Sequence, residues 1–330
     1  MKQKILPAGV LLLLIFLLIH PAEALNAARD GMNLWLNTLL PTLLPFLILT
    51  GILIRTGSIE KLLGHASPVW KTLFGLSPWG AYAFFSGLLC GYPMGAKLTS
   101  DLYGSKKLGK REAEYLLSFS NNPSPAFVLS YLCNSCLKNK ADAFLVLAVL
   151  LFAAFLNMLI FRFLVFRNIT TNDIVSKAAC CREMTACSET GSKSLSLSKR
   201  KETSKDTSPV VVIDVSIMNG FETMARLGGY ILLFSVLAGA IQFYWPFAQN
   251  SLCLPLGLLE VTTGLSILSS SGLAFPVLFV ISVSVTAFGG LCVMAQTKSL
   301  LHRDLSILPC FLGKLVHAVL AGIIACITLS

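Results

Sequence analysis

The residues able to do chemistry in this chain are few, and they stand in apolar surroundings. Glu260 lies in "PLGLLEVTTG", followed by Thr262, Thr263 and Gly264. An ionised carboxylate at membrane depth is costly unless it is paired, protonated or wet. A position near the interface, after Pro255, would relieve that cost. Asn121 and Asn122 each donate and accept hydrogen bonds. They suit either a ligand or a helix N-cap ahead of "SPAFVL". Lys97 and Gln296 end apolar runs, where they either face a solute or snorkel to the interface. Such groups can hold a polar or charged solute, but they form no catalytic set. His20, His65, His302 and His317 are scattered, and no metalloprotease, hydrolase-elbow or phosphate-loop motif occurs. "CNSC" at 133 to 136 is a lone C-x-x-C, too few ligands for a structural zinc site and without a thioredoxin-like context. The chain therefore reads as a non-enzyme with neither metal nor cofactor.

The segments that must position these groups are broken. "SGLLCGYPMGAKLTSD" (86 to 101) begins as a membrane helix, then crowds Gly87, Gly91, Pro93 and Gly95 together. "FSNNPSPAFV" places Asn121, Asn122 and Pro125 at a second break, and Gly289-Gly290 interrupt a third apolar run. Unwound backbone at membrane depth is tolerated only where it is buried in protein or lines a cavity. It also exposes helix-terminal dipoles to charged solutes. A single break would read as close helix packing; three in repeat-like places favour a binding cavity.

The chain has 330 residues, 55% hydrophobic and 13% charged, too apolar for an ordinary soluble domain. Segments of about 20 apolar residues can cross a bilayer. They are expected at 34–54, 142–166, 230–247, 273–296 and 305–329, with shorter or weaker ones at 79–97, 119–133 and 251–272. Pro41 and Pro45 should kink the 34–54 span. The net charge of +10 lies mostly in loops, as the positive-inside bias requires. No basic patch is interleaved with aromatics, so nucleic acid is excluded as a partner. Residues 1–24 read as a retained hydrophobic helix, with a cleaved signal as the alternative. Residues 25–167 form a first membrane half and 209–330 a second. Residues 168–208, rich in Ser, Thr and Lys, cannot bury enough apolar surface to order themselves and read as a cytoplasmic linker.

The halves echo each other. Each runs from an amphipathic turn into a span, and "SGLLCGYPMGAK" aligns with "TAFGGLCVMAQT" at an offset of one residue, setting Gly91 over Gly290. Loop charge gives the 34–54 and 230–247 helices opposite directions. The fold class is thus all-α and polytopic, with two repeats in inverted topology and broken or re-entrant helices.

"SGLLCGYPMGAKLTSDL", "EAEYLLSFSNNPSPAFV", "GLLEVTTG" and "FGGLCVMAQ" resemble the sporulation membrane proteins of the YlbJ type, within the nucleoside-recognition (Gate) domain family. The resemblance runs from about residue 30 to the end and lapses over the linker. It implies two Gate-like repeats, the membrane of a spore-former, and transport. The implied cargo is dipicolinate, a small anionic metabolite, carried toward the forespore, with the outer forespore membrane as the location. Nucleoside and metal-ion transporters share such repeats, so the cargo stays open. It implies Gly91, Tyr92, Pro93, Gly95, Asn121, Asn122, Pro125, Glu260, Gly264, Gly289, Gly290 and Gln296 as site positions, to which Lys97 and Thr263 are added as neighbours. Expected partners are the lipid bilayer, the metabolite, other sporulation membrane proteins and a second copy of the chain. A scaffold working through the linker is the rival reading.

Overall fold

A computed structural model describes residues 2–56, 70–166, 208–246 and 249–329. Every element among them is helical. In chain order they are α1 (Lys2–Ile19), α2 (Pro21–Leu34), α3 (Leu40–Arg55), α4 (Pro78–Cys90), α5 (Met94–Gly104), α6 (Lys110–Leu117), α7 (Pro125–Phe127), α8 (Ala143–Ile160), α9 (Pro209–Tyr244), α10 (Cys253–Leu259), α11 (Val261–Ser270), α12 (Phe275–Phe288), α13 (Gly290–Leu300) and α14 (Leu308–Leu329). The 168–207 part of the expected linker lies outside the described residues.

Local sequence sets many of these boundaries. Pro21, Pro78, Pro125, Pro209 and Pro276 sit in first turns, where the missing N–H costs no helical bond. Ser77, Ser124 and Asp142 accept from backbone N–H groups as N-caps. Pro41 is absorbed differently from the expected kink. A π-helical turn, Trp35–Leu39, joins α2 to α3 and relieves the clash that the ring would make one turn back.

Four helical segments are long and apolar enough to cross a membrane: Ala143–Val165, Pro209–Tyr244, Phe275–Leu300 and Leu308–Leu329. A fifth candidate is Pro7–Ile19 with Pro21–Asn37, bent by 110° at His20. The span expected at 34–54 is not among these four; that stretch is the second part of a rod that begins at Pro21. The helix expected at 230–247 begins at Pro209, because its amphipathic entry continues the same 36-residue helix. At 1.5 Å per residue α9 is about 54 Å long, more than a bilayer core needs.

The two rods lie side by side and antiparallel. Gly31 meets Ser235, Gly51 meets Ser216, and Gly239 meets Ala27. Trp35 Nε1 donates to the Met224 carbonyl at 3.0 Å, over the space left by Gly228. Small residues let the backbones approach, which is how helices associate in lipid.

Two segments double back instead of crossing. Gly87 and Gly95 are eight residues apart, about 12 Å along a straight helix. Yet a Cβ on Gly87 would lie 2.8 Å from the Gly95 Cα. α4 and α5 therefore form a hairpin, and 79–97 is no span. Likewise Gly264 packs on the backbone of Gly257, so α10 and α11 form a second hairpin. Phe275–Leu300 instead passes as one span despite its break at Gly289, and 67% of its apolar window is buried in protein. It is the most enclosed span.

One apolar core joins the rods to the first hairpin and α6 through Leu43, Leu47, Phe84, Tyr115 and Met224. Another joins α8 to α11, α12 and α14 through Val146, Val149, Leu265, Phe279 and Ala321. Both draw on residues before and after the linker, so the two sequence halves interlock.

Candidate functional site

The breaks meet. At the tip of the first hairpin Gly91 has φ +82°, a conformation that other residues rarely adopt, and it packs on Ser124. Gly95, one turn on, packs against the Ser120 backbone. The tip thus rests on 118–124, an unwound stretch between α6 and α7. The Tyr92 ring lies against Gly289, where a Cβ would stand 3.5 Å away. Gly289 also has positive φ, +81°, and Gly290 packs on the Leu259 carbonyl and Val261 N of the second hairpin's tip. Four interruptions, around 91–93, 118–124, 260 and 289–290, form one contiguous patch of irregular backbone.

Glu260 is the tip of the second hairpin. It is 3% exposed, so it does not sit in water at an interface. Its carboxylate caps α11, accepting from Thr262 N at 3.1 Å, from Thr263 N at 2.7 Å, and from the Thr262 hydroxyl. Tyr131 closes the far side, its hydroxyl donating to the Thr262 carbonyl at 2.8 Å. A buried carboxylate is held by backbone donors aligned with a helix dipole.

The two asparagines divide their work. Asn122 Nδ2 donates to the Phe119 carbonyl at 2.7 Å, bracing the turn. The expected N-cap is supplied by Ser124 instead, with Pro125 in the first turn. Asn121 Nδ2 reaches the Thr297 hydroxyl on α13 at 3.1 Å and faces the Cys310 sulfur on α14. Gln296 Nε2 points to the Cys292 sulfur, 3.2 Å away.

Lys97 does not join the patch. It lies on α5 and pairs with Asp101 at 2.9 Å on the helix surface. The buried cation is elsewhere. Lys314 on α14 is 3% exposed; its Nζ donates to the Ala287 carbonyl at 3.0 Å and stands 4.7 Å over the Tyr92 ring. His317, one turn on, contacts the Leu150 carbonyl through Nε2 at 3.1 Å. Asn157 on α8 donates to the Ser118 carbonyl at 3.0 Å. Gly313 lets α14 touch that same carbonyl. Asn121, Asn122, Asn157, Lys314 and His317 line a pocket too tight to admit a water molecule.

These three residues were legible as exceptions. Asn157 interrupts the most apolar span, and Lys314 and His317 stand three apart in another, where an ionisable residue marks function by default. The patch also leaves polar atoms unused. Tyr92 Oη, Ser120 Oγ, Asn121 Oδ1 and Asn157 Oδ1 are buried with no hydrogen-bond partner. Buried polar atoms are paired in the great majority of cases, so four in one region call for an explanation. Among the described residues no three His, Cys, Asp or Glu side chains gather as metal ligands. Cys133 and Cys136 are both free and buried.

The chain is an integral membrane protein, set in a lipid bilayer by its apolar helices. It is similar to the "Sporulation integral membrane protein YlbJ" of Bacillus subtilis (strain 168), with 24% identity over 322 residues that cover 92% of this chain and 77% of that relative. No family model matches the chain, and no solved structure matches it.

Proposed function

We propose that the chain is a permease for a small anionic metabolite in a sporulating cell, with dipicolinate moving toward the forespore as the first cargo to test. The observation that carries this reading is the convergence of four backbone breaks on one buried patch with unused polar atoms. Carriers bind their solutes where discontinuous helices meet near the bilayer midplane. The Tyr92 and Ser120 hydroxyls among those polar atoms are free to donate to an anion. The similarity to a relative named for sporulation supports the setting, and the outer forespore membrane is the proposed location.

An inverted pair of Gate-like repeats is part of the proposal. Its support is the order of elements. A rod, a hairpin, a broken segment and a span (21–55, 78–104, 110–136 and 143–165) are followed by the same series at 209–244, 253–270, 275–300 and 308–329. The rods run antiparallel, as a two-fold axis in the membrane plane requires. This order pairs the 91–93 tip with Glu260, not with Gly290 as the sequence alignment had it. The protein acts as a carrier, with no catalytic step and no cofactor.

Uptake into proteoliposomes tests the reading. Dipicolinate should enter, and a nucleoside and a divalent metal should enter more slowly. Replacing residues 175–205 with a short Gly/Ser linker should leave uptake intact. No uptake of any of the three would overturn the permease reading. Lost function in a shortened protein that still inserts would favour a scaffold.

A further inference from the structure

Among the described residues Lys314 is the one Lys or Arg side chain that is buried. Among the same residues two carboxylates are buried, and both are already engaged. Glu112 accepts from Ser77 N at 2.7 Å, and Glu260 caps α11. Neither forms an ion pair with Lys314. An ammonium has three donors. One reaches the Ala287 carbonyl, and the Tyr92 ring covers another side. A buried charge without a partner is strongly disfavoured, and a ring face returns only part of the loss. Asn121 and Asn157 line the same pocket as Lys314; their unused amide oxygens are acceptors, so it is the ammonium that offers an anion its donors.

We infer that Lys314 is the binding residue for a carboxylate group of the solute, the anion that completes its charge at the meeting of the breaks. This rests on the permease reading for the solute's presence, but not for the binding itself. A carboxylate takes two N–H donors from an ammonium in charge-assisted bonds. The Tyr92 hydroxyl, unused and on the ring that covers Lys314, can turn to donate to one of the carboxylate oxygens. The pocket is shut, so binding requires its walls to part. The competing reading is that Lys314 only caps the end of α12, since Ala287 lies in its last turn.

Lys314→Gln separates the two, because an amide keeps a donor for the Ala287 carbonyl while the charge goes. Lys314→Met removes both. Binding of pyridine-2,6-dicarboxylate and of its neutral diamide would be measured by calorimetry on detergent-purified full-length protein, wild type and both variants. The expected result is that wild type prefers the dicarboxylate, and that K314Q loses about tenfold or more of that affinity at an unchanged melting temperature. Equal affinity in K314Q and wild type would overturn the inference, as would a wild type that binds neither compound or prefers the diamide. If K314Q does not fold, the preference for the dicarboxylate over the diamide should vanish in K314M, and a preference that persists would overturn the inference. Flux keeps the two claims apart. A protein that binds the anion through Lys314 but moves nothing would sink the permease reading alone. One that transports the dicarboxylate equally well with Gln at 314 would sink this inference alone.

Discussion

Asn121 on the unwound segment donates its amide to the Thr297 hydroxyl on α13, 3.1 Å away, and both side chains are buried. That bond ties the first hairpin's seat to the most enclosed span. A cycle of Asn121→Ala and Thr297→Val should give a coupling of about 1 kcal/mol in unfolding from detergent, typical of buried side-chain bonds within membranes. Zero coupling would mean that the two elements are held together by packing alone.

Gly95 has no room for a side chain, because the Ser120 carbonyl occupies the place of its Cβ. Gly95→Ala should cost about 1–3 kcal/mol by forcing the hairpin off the unwound segment. Gly229 has nothing within 4 Å of its Cβ position. Gly229→Ala should be neutral or stabilise α9 by up to about 1 kcal/mol. Thermal unfolding of the two variants checks this; equal shifts would contradict the seating of the hairpin.

Lys97 was expected at the site, and its surface pair with Asp101 argues otherwise. An exposed pair four residues apart on a helix contributes about 0.3–0.5 kcal/mol. Lys97→Gln should change stability by no more than that and leave anion uptake unchanged. A drop in uptake at constant melting temperature would return Lys97 to the site.

Glu260 holds three donors at the tip of the second hairpin. Glu260→Ala should therefore cost about 2 kcal/mol, the upper end for a lost N-cap. Glu260→Gln keeps one acceptor oxygen and should cost less. Circular dichroism melts of both variants would read this. Equal losses would show that the charge matters rather than the cap.

The antiparallel rods set a topology. Single cysteines at Ala28 and Tyr244 should react with an impermeant label from one side of the membrane, and cysteines at Arg55 and Asp214 from the other. The pairing of Ala27 with Gly239 and of Gly51 with Ser216 requires it. Labelling of 28 and 244 from opposite sides would exclude this arrangement of the rods.

Four of the spans, and the places where the chain breaks, were legible in the residues alone. Spans such as 143–165 follow from apolar length, because lipid offers backbone groups no partner outside a helix. The interruptions at Gly91–Pro93, Asn121–Pro125 and Gly289 follow from residues that cannot propagate a helix, and Glu260 was conspicuous because a carboxylate is rare in such surroundings.

What each break does depends on its neighbours in space. Gly91 and Gly289 both have positive φ, yet one chain turns back and the other continues. The first hairpin closes because Gly87 and Gly95 let its arms touch; α12 and α13 are enclosed by neighbours on both sides of the break. The placement of Lys97 and Lys314 was likewise beyond the sequence. A lysine at the end of an apolar run can snorkel or turn inward, and the rotation of its helix against its neighbours selects between them. α5 turns Lys97 toward Asp101 and the surface, whereas α14 turns Lys314 onto Ala287 and Tyr92.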